Sequence, residues 1–170
     1  MTPWKMLRSW PNSRPELPWL SSPLIALCRI GKLELLHDLF GQLILPDAVW
    51  QEVALSHPEK LGTVGIASAA WVEHRAVQDV QLVNLLSQDL GEGESEAIVL
   101  AREINADVLL MDERRGRQAA KRLGITCTGL VGVLLEARRR GIVPNPASIG
   151  QELRDVAGFW IADELMALLR

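Results

Sequence analysis

The chain has 170 residues, 48% of them hydrophobic and 23% charged, with a net charge of −3 and a pI of about 5.6. That length and composition fit one domain with a real core and exclude a disordered chain. The mild acidity excludes a uniformly basic nucleic-acid surface but leaves room for a basic patch beside an acidic site.

Pro3, Pro11, Pro15 and Pro18 are interleaved with Trp4, Trp10 and Trp19 in the first stretch. Such spacing argues against a regular helix or a central strand. It predicts an irregular arm over residues 1–19, extended near 16–20, ahead of a single domain over 20–170. The arm lacks the continuous apolar run of a signal peptide. Nowhere does the chain approach the roughly 20 apolar residues of a membrane span. Cys28 and Cys127 lie in apolar segments and read as reduced core thiols of a cytosolic protein. His37, His57 and His74 share no ligand spacing with them, which argues against zinc.

Ser21-Ser22-Pro23 opens a helix, with a hydroxyl cap and an early proline. Gly31 breaks it, and a second helix over 32–40 ends at Gly41. A strand over 42–45 leads into a helical stretch over 46–54. Residues 57–60 read as a surface turn, 64–70 as a helix and 72–77 as an extended edge. A short helix over 82–86 and a polar loop over 89–93 precede a helix over 94–104. Next come a strand over 107–111, a basic helix over 114–123 ended by Gly124, a strand over 125–128 and a helix from Gly129 to 140. Gly141, Pro144 and Pro146 mark a linker before terminal helices over 148–156 and 161–169. Alternating strands and helices predict an α/β fold, a parallel sheet wrapped by helices.

Three acids stand at element ends. Asp112 follows the strand over 107–111, and ligands of open parallel sheets gather past the carboxyl ends of strands. Glu94 shares a helix face with Ala97, Ile98 and Ala101. Glu52 lies beside the apolar stripe of Val49 and Val53. Carboxylates converging in a cleft repel one another, which raises at least one pKa, and they attract a hard cation. A divalent ion activating water for phosphodiester cleavage is the usual purpose. Each acid also has a plainer reading: Asp112 as a cap of the next helix, Glu94 as a favourable charge at a helix N-terminus, Glu52 as a solvated flank. Glu96, about 200° around the helix from Glu94, is a support or capping residue. Arg114, Arg115, Arg117 and Lys121 form either a solvated helix face or a phosphate-binding flank. Arg138, Arg139 and Arg140 end a helix, where positive charge suits the dipole.

The blocks Ser22-Pro23-Leu24-Ile25, Leu45-Pro46-Asp47-Ala48-Val49-Trp50-Gln51-Glu52-Val53, Gly93-Glu94-Ser95-Glu96-Ala97-Ile98, Leu110-Met111-Asp112-Glu113-Arg114-Arg115-Gly116-Arg117 and Thr128-Gly129-Leu130-Val131-Gly132-Val133-Leu134 come in a distinctive order. Together they resemble a branch of the PIN-domain proteins related to the ribonucleases of toxin–antitoxin pairs. The resemblance implies a three-layer α/β/α fold with a central parallel sheet. It also implies Mg²⁺ or Mn²⁺ at Glu52, Glu94 and Asp112 as second, third and fourth acids, and cleavage of single-stranded RNA in the cytoplasm. An antitoxin-like protein partner and a homodimer are further implications. The family's first acid ends the first strand, and counting back places Leu20 there. Leucine cannot ligate a cation, so the departure bears on catalysis more than on fold. Glu16, roughly 10 Å or more away along an extended arm, is no direct replacement. An alternative is a non-catalytic module that binds RNA or protein. Leu20 and the odd arm would also follow from a start-site or frameshift artefact.

Overall fold

In the computed structural model of the chain, residues 16–18, 21–55, 59 and 65–170 are described. Strand β1 (Glu16–Pro18) is followed by helices α1 (Ser21–Arg29) and α2 (Glu34–Phe40), strand β2 (Gln42–Pro46) and helix α3 (Asp47–Trp50). Helix α3 widens into a π turn at Gln51–Leu55. The chain continues through β3 (Val72–Arg75), α4 (Val80–Leu86), α5 (Glu92–Glu103), β4 (Leu109–Leu110), α6 (Arg114–Arg122), β5 (Cys127–Thr128), α7 (Leu130–Arg139), α8 (Pro146–Asp155) and α9 (Asp163–Leu168).

Every strand pairing among the described residues is parallel. One ladder has the order β1-β2-β3 and a second joins β4 to β5. β4 packs beside β1, so the spatial order is β3-β2-β1-β4-β5. The chain moves outward from β1 to β3, then returns to the other side of β1. A topological switch point therefore lies between β1 and β4, the place where open parallel sheets form ligand crevices.

Side-chain alternation produces the three layers. Val108 and Leu110 join a core with Leu24, Leu36, Leu43, Leu45, Leu134 and Leu153, drawn from α1, α2, β2, α7 and α8. Leu109 and Met111 point the other way, into a core with Ala97, Ile98, Ala120 and Cys127 from α5, α6 and β5. A strand with both faces covered reads as a continuous apolar run, and Leu43 through Pro46 are all buried. The fold is α/β, with parallel strands between helices.

Several boundaries carry their cause in the sequence. Gly41 ends α2 at φ 79°, its N–H donating to the His37 carbonyl at 2.8 Å, a conformation that favours glycine. Asp79 caps α4 by accepting from the Leu82 N–H. Pro146 opens α8 behind the Asn145 cap, so the expected linker is shorter and the helix begins earlier.

The extension expected near 16–20 is present as the strand Glu16–Pro18, in register with Gln42–Ile44. Pro18 has no N–H, and β1 is an edge of its hydrogen-bonded ladder, where proline is tolerated. Residues 1–15, Trp19 and Leu20 lie outside the described residues, as does most of the turn expected at 57–60. The helix expected at 64–70 is instead a series of turns over 65–68. Within it Ser68 donates to the Gly65 carbonyl at 3.1 Å, and Ile66 is the one fully buried side chain, too small an anchor for an amphipathic helix. No helix among the described residues is long and apolar enough to cross a membrane.

Candidate active site

A cleft of about 990 Å³ opens at the carboxyl ends of the strands. Each crossover delivers residues to it: Ser22 and Pro23 after β1, Ala48 and Glu52 after β2, Asp112 and the start of α6 after β4, Val131 after β5. The loop before α5 adds Gly91 to Glu94. Glu52, Glu94 and Asp112 therefore line one cleft, and Arg114, Arg115 and Arg117 line it with them. Lys121, exposed further along α6, is not among the lining residues.

Asp112 is the most constrained acid. Its two oxygens accept the Leu130 N–H at 3.2 and 3.1 Å, so the carboxylate sits at the N-terminus of α7, where the dipole favours negative charge. Gly129 makes this approach possible, since a Cβ there would lie 2.5 Å from Asp112 Oδ1. Burial pushes the Asp112 pKa up to about 6, against the Leu130 N–H and the Arg117 charge, which both pull it down. The shift comes from desolvation, not from the mutual repulsion of acids that the sequence reading invoked.

Glu94 occupies the first turn of α5. Its Oε2 accepts the Gly91 N–H at 3.0 Å. Its Oε1 is buried and has no hydrogen-bond partner among the described residues. A buried acceptor left unmade costs about 1–3 kcal/mol, so such an atom at the edge of a cleft is suited to an added donor or cation. Helix α6 approaches it through Gly116, where a Cβ would stand 3.2 Å from Glu94 Oε1 and would collide with Met111 Sδ.

Glu52 differs from the other two acids. It lies on the π turn, exposed to solvent, while Val49 and Val53 on either side are fully buried. Glu96 holds the start of α3 in place: its Oε2 accepts the Ala48 N–H at 2.9 Å. Thus Glu96 acts as a cap, but of a helix distant in sequence. Asp47, also in the first turn of α3, bonds His74 Nδ1 at 2.9 Å, and His74 stacks on Trp50 with centroids 4.7 Å apart.

Among the described residues, no group of three or more His, Cys, Asp or Glu is close enough to hold a metal ion. The cleft brings the three acids to one space without closing them into a three-ligand cage. The orphaned Glu94 oxygen and the desolvated Asp112 carboxylate fit a hydrated Mg²⁺ or Mn²⁺, which keeps several waters and binds through one or two carboxylates.

Sequence reasoning missed the fourth wall. Phe159, Trp160, Ile161 and Ala162 line the cleft from the link between α8 and α9. The available signal was the apolar run Phe159-Trp160-Ile161 directly after Gly158, too short for a helix and unmatched by any strand period. The arginines at 138–140 have roles within the fold. Arg139 and Arg140 bind Glu136, and Arg138 binds the carbonyls of Leu168, Leu169 and Arg170.

A family model described as a PIN domain matches residues 21–170. No curated protein and no solved structure matches the chain significantly.

Proposed function

The chain belongs to the PIN-domain family, whose members are generally nucleases, and we propose that its cleft binds single-stranded RNA beside a weakly held divalent cation. The observation that carries this reading is the meeting of Glu52, Glu94 and Asp112 with Arg114, Arg115 and Arg117 in one cleft at the switch point of the sheet. Glu94 and Asp112 would hold the ion, with water in its other positions and Glu52 reaching it through water from the rim. Bound there, Mg²⁺ or Mn²⁺ supplies an acidified water and offsets charge on the scissile phosphate. The protein's own groups do the rest. Leu130 fixes the Asp112 carboxylate, and Arg114 and Arg115, which have no ion-pair partner among the described residues, meet flanking phosphates. A phosphodiester held so would be set for in-line hydrolysis, water adding to phosphorus as the bond to the leaving ribose oxygen breaks and that oxygen takes a proton.

Leu20 adds no oxygen at the position of the family's first acid. Metal binding is therefore on the order of millimolar and cleavage is slow. Leu20→Asp tightens Mn²⁺ binding in calorimetry and raises cleavage of single-stranded RNA. Unchanged binding means residue 20 does not reach the cleft. Robust cleavage by the unmodified chain, lost in Asp112→Asn, means that three acids suffice. The reading includes a cytoplasmic location and, as in toxin–antitoxin pairs, an antitoxin-like partner or a homodimer.

A second reading, a non-catalytic RNA- or protein-binding module, is favoured by one observation: no three-acid group forms among the described residues. RNA binding that is indifferent to Mn²⁺ and to Asp112→Asn, without cleavage, selects it.

A further inference from the structure

Trp160 is 81% exposed, the most exposed large apolar side chain among the described residues. Its exposure is not that of a loose segment. Gly158 turns the chain at φ 67°, a value that favours glycine. The Phe159 N–H donates to the Leu153 carbonyl at 2.8 Å. Arg154 then clamps the far side: its Nε donates to the Ile161 carbonyl at 2.9 Å, its Nη2 to the same oxygen, and Nη2 pairs with Asp163 at 2.6 Å. Ile161, the next residue, is 2% exposed. One indole is thus held out at the rim of the cleft by a strap fastened on both sides.

The cleft states what that indole faces. Its lining carries Arg114, Arg115 and Arg117 on α6 together with the acids. Cationic side chains that contact phosphates, set in one groove with an exposed aromatic face, form the pairing by which single strands are held: charge tracks the backbone and the ring stacks on a base. A duplex keeps its bases stacked on one another and offers no free face.

We propose that Trp160 is a stacking platform for one unpaired base of a single-stranded nucleic acid whose phosphates lie on Arg114 and Arg115. The proposal rests on the nucleic-acid-binding reading above and adds the residue that holds one of the strand's bases. Trp160 is a binding residue that acts through the base and takes no part in bond breaking.

The experiment is fluorescence anisotropy with a labelled oligouridine of about twelve nucleotides, an abasic strand of equal charge and a duplex. Ca²⁺ is present throughout, and the full-length chain is used. Trp160→Ala weakens oligouridine binding about tenfold, within the range measured for loss of one base–aromatic stack, and Trp160→Phe retains most of it. The abasic strand and the duplex bind less tightly and do not distinguish Trp160→Ala from the unmodified chain. Because stacking releases no counterions, Trp160→Ala leaves the salt slope of binding unchanged. A double Arg114→Ala, Arg115→Ala variant lowers that slope and weakens the oligouridine and abasic strands alike.

Equal oligouridine affinity in Trp160→Ala and the unmodified chain overturns the proposal while leaving the wider reading intact. If that variant also turns a dimer into a monomer by light scattering, the indole serves a second copy of the chain instead. No oligonucleotide binding by the unmodified chain overturns both readings together.

Discussion

Glu136, fully buried, and Asp112, half-buried at the cleft wall, are two carboxylates treated in opposite ways. Glu136, fully buried in α7, receives Arg139 at 2.7 and 2.6 Å and Arg140 at 2.6 Å. Arg140 also reaches the Leu39 carbonyl at 2.9 Å and so ties α7 to α2. Although burial works against its ionised form, the hydrogen bonds and charge of the two arginines hold the Glu136 pKa below the usual range. Asp112, with one backbone N–H and a more distant arginine charge, is pushed up to about 6. One charge is fully compensated inside the fold. The other is left short of compensation at the wall of a cleft, as perturbed groups at functional sites commonly are.

The largest effect should come from breaking the compensated pair. Glu136→Ala removes the buried carboxylate that Arg139 and Arg140 share and costs about 3 kcal/mol of stability. Denaturant titration measures it, and a loss below about 1 kcal/mol would mean that water replaces the carboxylate.

Asp112→Asn should do the reverse. The folded-state pKa lies above the unfolded value, so the group's favourable contribution is complete below about pH 4 and is lost as pH rises through about 6. Asparagine escapes that loss and still offers an oxygen to the Leu130 N–H. The variant is therefore more stable at pH 7.5 by about 1–2 kcal/mol, and its advantage closes between pH 6 and pH 4. Thermal melting across that range is the check. An advantage that does not vary with pH would remove desolvation as its cause. Cation binding falls in the same variant, separating what serves the cleft from what serves the fold.

Glu96 is an intermediate case, a carboxylate spent on one backbone N–H at the start of α3. Glu96→Ala costs about 1 kcal/mol, with Glu52 becoming more mobile than Glu94 in carboxyl NMR spectra. Equal mobility of the two acids would show that the π turn alone fixes Glu52.

The sequence revealed the framework where local physics decides. Gly41 and Gly124 end helices because the chain turns there at positive φ. The blocks of Glu52 and Asp112 each follow a parallel strand, which is why both line the cleft, whereas Glu94 reaches it from the loop before α5. Features decided by distant partners were hidden. The prolines argued against a central strand, and β1 indeed ends its hydrogen-bonded ladder, a place that no local pattern gives away. That Glu96 reaches Ala48 across 48 positions cannot be inferred from helical spacing. The Glu136 network was legible, because Arg139 and Arg140 stand at i+3 and i+4 from it. Reading those arginines only against the helix dipole overlooked the acid. Trp160 belonged to no period, and its role depends on which wall of the cleft the returning chain supplies.

The π turn at Gln51–Leu55 has a consequence for how this protein tolerates change in length. A π turn holds one residue more than the α-helical path needs. Deleting a single residue within it would let α3 run on as an ordinary helix, with little demand on the buried Val49 upstream. The extra residue is taken up within that one wider turn, so a deletion there would be felt locally, at Glu52 and the buried Val53, and would leave the helix before it in place.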